Sequence, residues 1–148
     1  MIRALVVIAA LAMGASTVIA QQEVAAKRQA VMKQSGKAFY SVMGGMVRGT
    51  KAYDQAEVDA AFAELETASK QYVSLFPESA KASVPGSTYS ISAKAWDNKA
   101  DLDAKAANSA RLVSDYKGKI KDLDSLKAAY TAINAGCNGC HEVYRVKN

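Results

Sequence analysis

Residues 123–144 read LDSLKAAYTAINAGCNGCHEVY, and this stretch decides the fold. Leu123, Leu126, Ala129 or Tyr130, Ile133, Cys137, Cys140 and Tyr144 recur three and four residues apart, which puts them on one stripe of an α-helix. Asp122 or Asp124 can cap its first turn by accepting from the free backbone N–H groups there. A helix with one apolar stripe needs other helices or a sheet to cover that stripe. The rest of the chain offers helices.

Upstream, a third helix is expected from near Ser92 to Ala95 as far as Lys117 and Gly118, with Ser92 as N-cap and Gly118 just past its end. Its expected stripe is Trp96, Ala100, Asp103 or Ala104, Ala107, Arg111 and Tyr116. A second helix is expected over 55–75, carrying Val58, Ala61 or Phe62, Leu65, Ala68 or Ser69, and Tyr72. Asp54 with Glu57 forms an Asp version of a capping box at its start, and Phe76-Pro77 stops it. The first helix is expected over 23–48, with Ala25, Val31 or Met32, Phe39 and Met43 inward and Gly44-Gly45 weakening its last turns. Residues 77–91 hold both prolines and Gly86 and read as a long loop rather than a strand. Four helices about 30 Å long, two short connections and one long one predict an all-α, up-down-up-down antiparallel four-helix bundle. No segment has a comparable strand pattern.

Composition narrows the function classes. The chain has 148 residues, half of them hydrophobic, which suits one domain of ordinary size and argues against disorder. Two cysteines cannot build a disulfide framework, and one histidine cannot supply a catalytic zinc site or a bis-histidine haem. The formal charge of +5 is spread among interleaved acids and bases, so a nucleic-acid groove is a poor reading. Arg3 followed by the apolar run 4–13, with Val18-Ile19-Ala20 closing the segment, has the layout of a secretory signal. Cleavage is expected after Ala20, leaving one four-helix-bundle domain over 21–148 at +4, with no membrane anchor and a periplasmic location.

Both cysteines and the only histidine fall in Cys137-Asn138-Gly139-Cys140-His141, the C-x-x-C-H order of covalent haem c attachment. Thiols three positions apart lie on one side of a helical turn, so each can form a thioether with a vinyl group of one haem while His141 turns its imidazole to the iron. A disulfide or thioredoxin-type reading would need a nearby βαβ pattern, and a zinc reading lacks a fourth ligand.

With no second histidine, the sixth iron position falls to Met, to a weaker ligand such as Lys, to water, or to nothing. Met32, Met43 and Met46 remain after signal removal, and in an antiparallel bundle only Met32 is level with His141. Met32 could instead be ordinary core on an apolar stripe. Gly36, one turn on, leaves room for a macrocycle. Arg28, one turn before, could reach a propionate or sit on the surface, and Arg145, one turn beyond His141, could lie against the proximal face or a propionate. Tyr130 and Tyr144 are expected to pack.

On these residues the chain from 21 onward resembles the cytochrome c′ family. The likeness rests on Arg28-Gln29-Ala30-Val31-Met32-Lys33, Tyr53-Asp54, Trp96 and the run from Cys137 to Arg145. It is closest to the low-spin cytochrome c-556 subgroup, in which the methionine matching Met32 completes six-coordinate iron and the role is electron transfer. High-spin members bind nitric oxide or carbon monoxide, and some carry a nearby Met without coordinating it. The resemblance implies that Arg28 contacts a propionate, that Arg145 lies near the proximal imidazole, and that the chain is a monomer or a homodimer. The expected function is thus a haem electron carrier serving an unidentified redox partner protein, with five-coordinate gas binding as the alternative. A peroxidase is disfavoured, because no distal histidine is present for acid–base work.

Overall fold

A computed structural model describes the backbone of residues 2–81 and 83–148 and the side chains of 19–81 and 83–148. Its elements are α1 (Ile2–Gly36), a π-helical segment (Lys37–Met43), α2 (Gly44–Val47), α3 (Gln55–Ser69), a 3₁₀ turn (Val73–Leu75), β1 (Tyr89–Ile91), α4 (Lys94–Asp97), α5 (Lys99–Tyr116), α6 (Leu123–Tyr144) and β2 (Arg145–Lys147). Helix α1 with its π and α2 extension, α3, α4–α5 and α6 are the four members of the expected bundle. The expected signal segment, residues 1–20, contributes backbone to α1 from Ile2 onward, so the first helix starts well before residue 23. Met1, and the side chains of Arg3 and the apolar run that define the signal, lie outside the described residues. Among the described residues no helix is long and apolar enough to cross a membrane.

The helix ends follow local chemistry. Asp54 accepts from the Glu57 N–H at 2.9 Å, but the Glu57 carboxylate pairs with Lys51 at 2.5 Å, so only half of the expected capping box forms. Asp122 and Ser125 form a complete, reciprocal box at the start of α6. Gly118 takes φ +73° just past α5, the left-handed position a helix-ending glycine serves.

Two apolar clusters fill the bundle. The larger joins Phe39, Met43 and Met46 to Val58, Phe62, Leu65, Val113, Leu126 and Ile133. The smaller, toward the other end, joins Val31, Ala68, Leu75, Phe76, Ala95, Trp96, Leu102 and Tyr144. Complete burial of a side chain such as Leu126 contributes about 1.5–3 kcal/mol.

Four expectations need correction. Helix α3 stops at Ser69 and continues only as turns and a 3₁₀ segment to Leu75, because the chain must bend before Pro77. The third helix is broken at Asn98 (φ −128°, ψ 58°), which resets its phase. Leu102, Ala106, Ser109 and Val113 therefore face inward, while Ala100, Ala104, Ala107 and Arg111 face water. The loop 77–91 ends in a strand, with Tyr89, Ser90 and Ile91 opposite Lys147, Val146 and Arg145 in an antiparallel ribbon. A three-residue strand is too short to show alternation, and its partner lies more than fifty residues away. Finally, the first helix is not uniformly α: seven residues after Gly36 are π-helical, which shifts the inward face so that Ala38 and Phe39 are both buried.

Candidate haem site

The attachment motif occupies the last two turns of α6. Cys137 packs against the larger cluster and Cys140 against the smaller, so the motif straddles the junction of the two cores. Both cysteines are unpaired and half-buried. Burial, and secondarily the neighbouring Cys140, pushes the Cys137 thiol up to about 11. Burial also raises Cys140. At neutral pH both are therefore S–H groups.

His141 is half-buried, and burial, with the Arg145 charge second, lowers its pKa, so its imidazole is neutral at pH 7 and has a lone pair to donate. Its Nδ1 is buried without a hydrogen-bond partner. An unpaired buried nitrogen costs about 1–3 kcal/mol, so the polypeptide alone does not account for this ring's placement. Two thiols on one helical face, a neutral imidazole in the next position and an apolar seam on either side are the donor set and surroundings that a covalently held haem requires.

Across the bundle, Met32 is half-buried and packs on the smaller cluster, the one that Cys140 also contacts. Met43 and Met46 are fully buried in the larger cluster. Nothing lies within 4 Å of where a Gly36 Cβ would sit. Tyr72, which sequence reading placed only on a packing stripe, joins Met32 on the smaller cluster, and its hydroxyl donates to Ser35 Oγ at 3.1 Å. Its hydroxyl pKa is raised, chiefly by burial, with both cysteines contributing. Its place on the stripe expected for a second helix over 55–75 was the only signal available.

Arg28 is buried, not on the surface. Its Nη1 donates to the Leu75 carbonyl at 3.2 Å and lies 3.5 Å from that of Ala80, and the guanidinium sits 5.3 Å from the Phe76 ring centre and 6.0 Å from that of Trp96. It braces the start of the long loop against α1. Arg145 is exposed, begins β2, and lies 4.7 Å over the Tyr89 ring. Tyr130 stacks flat on Phe39 at 4.4 Å, and Tyr144 is buried, so both pack as expected. Two surface clefts among the described residues, about 410 and 310 Å³, are lined by residues such as Asp59 and Lys117, or Lys37 and Glu64, and include none of the motif.

The sequence model of the family described as Cytochrome C′ matches residues 23–145, from the first helix through the attachment motif to Arg145. The chain belongs to the cytochrome c′ family. Cytochrome c-555 of Bradyrhizobium diazoefficiens is 43% identical over 145 residues, covering 98% of this chain and 97% of that one. Cytochrome c-556 of Rhodopseudomonas palustris is 43% identical over 148 residues, covering 99% of each. The structure of oxidized R. palustris cytochrome c556 superposes with a TM-score of 0.74 at 42% identity, covering 86% of this chain and 98% of that one. As a cytochrome c′-family member the chain carries haem c covalently and is an electron carrier, not an enzyme. The four-helix bundle of the family is the architecture found here.

Proposed function

We propose that this cytochrome is a periplasmic one-electron carrier, exported by residues 1–20, whose iron is held between His141 and Met32. The observation that carries the reading is the sharing of one apolar cluster by Cys140 on α6 and Met32 on α1. Bound haem supplies the Fe(III)/Fe(II) couple. Cys137 and Cys140 would hold the haem through thioethers to its two vinyl groups, a tether that does not depend on the oxidation state of the iron. Neutral His141 would hold the iron through its ring lone pair. The Met32 thioether, a soft ligand, favours the reduced state and raises the potential. Trp96, Leu102, Leu75 and Phe76 exclude water from this end of the bundle, which keeps reorganisation small. Arg28 is assigned a propionate and Arg145 the neighbourhood of the proximal imidazole.

The test is the optical spectrum in both oxidation states with carbon monoxide added. Low-spin spectra and poor carbon monoxide binding are expected, and Met32→Ala should open the sixth position and admit carbon monoxide. A high-spin reduced wild type that binds carbon monoxide readily would replace this reading with that of a five-coordinate gas-binding cytochrome. Export is tested separately: protein from the periplasmic fraction should have Gln21 at its N-terminus.

A further inference from the structure

Residues 75–80 leave the 3₁₀ turn and open the long loop, yet Leu75, Phe76 and Ala80 are each at most 4% exposed, as deep as helix core. A segment buried without a helical or sheet ladder depends on side chains to satisfy its carbonyls. Two side chains from different helices do this. Arg28 of α1 donates from Nη1 to the Leu75 carbonyl at 3.2 Å and reaches that of Ala80 at 3.5 Å. Trp96 of α4 donates from Nε1 to the Pro77 carbonyl at 3.1 Å, and the Ala80 N–H closes the turn onto the same carbonyl at 3.0 Å. The guanidinium lies against the Phe76 and Trp96 rings, so the two latches and the segment between them pack as one unit.

This unit stands on the Met32 side of the bundle. Arg28 is four residues before Met32, one turn away on the same face of α1. Leu75, Phe76 and Trp96 belong to the cluster on which Met32 and Cys140 pack. Residues 75–80 are therefore a wall of that cluster, held by side-chain bonds where α1 and α5 are held by their own ladders. A wall of this kind opens locally at a lower free-energy cost than a helix does. What pins it decides how often the cluster admits water and small ligands.

We propose that Arg28 and Trp96 are positioning residues that keep the sixth-ligand side closed: by latching residues 75–80 over the Met32 cluster, they prevent water and small neutral ligands such as carbon monoxide from displacing the thioether. The inference rests on the reading of Met32 as sixth ligand and adds the residues that protect it. Closure of this wall is what separates a carrier that keeps its ligands through the redox cycle from one that exchanges them.

The test is stopped-flow mixing of the ferrous, covalently haem-loaded full chain with carbon monoxide, with hydrogen exchange of the Ala80 amide followed alongside. Trp96→Phe keeps an aromatic ring in the cluster and removes the Nε1–H. It should raise both the carbon monoxide rate and the exchange rate about fivefold, the factor one ordinary hydrogen bond contributes to an opening equilibrium. Arg28→Leu, which removes the charged donor and leaves apolar cover, should raise both at least as far. Leu126→Ala, which weakens the larger cluster instead, should leave the carbon monoxide rate unchanged, so a general loss of stability is not mistaken for an open wall. A propionate contact of Arg28 would not respond to Trp96→Phe, so the two variants separate the latch from it. If Arg28→Leu yields no holoprotein, Trp96→Phe reads the same quantities. A carbon monoxide rate or an Ala80 exchange rate that stays at the wild-type value in either latch variant, or an equal rise in Leu126→Ala, would overturn the proposal. A wild type that is high-spin when reduced and binds carbon monoxide at once would instead overturn the Met32 reading beneath it.

Discussion

Replacing Tyr144 with phenylalanine tests how the end of α6, and with it the attachment motif, is anchored. The Tyr144 hydroxyl donates to Asp101 Oδ2 at 2.5 Å and lies 3.4 Å from the Asn98 carbonyl, so it ties the last turn of α6 to the first turn of α5 at the helix break. A hydrogen bond to a carboxylate contributes about 1.5–3 kcal/mol. Asp101 is partly exposed and keeps Lys105 at 3.7 Å, so it is not stranded when the hydroxyl goes. The phenyl ring retains the packing of a side chain only 2% exposed. The expected loss is therefore at the low end, about 1.5 kcal/mol, or a fall in Tm of about 5 °C for a domain of this size. Urea denaturation followed by helical circular dichroism measures it, with Asp101→Ala and the double variant completing a cycle whose coupling should be about 1 kcal/mol. A Tyr144→Phe change below about 0.3 kcal/mol, or zero coupling, would show that the contact does not anchor the helix.

Alkaline stability tests the same contact. Burial, with Asp101 second, pushes Tyr144 from its ordinary value of 10.0 up to about 12, so the stability it contributes is complete below pH 10 and is lost as pH rises through 12. The wild type should therefore lose stability more steeply than Tyr144→Phe between pH 10 and 12 in urea midpoints. Leu126→Ala, at a fully buried position in the larger cluster, should cost about 3 kcal/mol, read from the same midpoints. Gly44→Ala should be destabilising by about 1 kcal/mol despite a better helix former, and a rise in Tm would contradict this. Its Cβ would stand 2.7 Å from the mobile end of Arg48 but also 3.0 and 3.2 Å from the Tyr130 hydroxyl and ring, which stacking on Phe39 holds in place.

The periodic parts of the chain were legible because helical packing repeats locally. Ala25, Val31, Phe39 and Met43 were expected inward on the first helix and are buried, as are Val58, Phe62 and Leu65 on α3 and Leu126 and Ile133 on α6. The caps at Asp54, Asp122 and Gly118 were legible for the same reason, since each is settled by neighbours within a few residues. The α5 stripe was misread because a phase taken from Trp96 was carried across Asn98, where the backbone leaves the helix. The ribbon was missed because strands of three residues show no period, and pairing across the chain adds no local signal. Arg28 was left between a propionate and the surface; its burial depends on Leu75, Phe76, Ala80 and Trp96, which only the folded loop brings to it.

By itself, the order of residues 137–141 determined the chemistry: two thiols and one imidazole at that spacing on a helix suit one prosthetic group, and the lone histidine limits its axial ligands. That is a matter of covalent spacing, which survives any fold. Tertiary structure decided the surroundings, because a charge or a methionine acts on the site through space. It set Cys137 and Cys140 on different cores, brought Met32 onto the cluster beneath Cys140, and seated Arg145 on Tyr89 from a strand fifty-odd residues earlier.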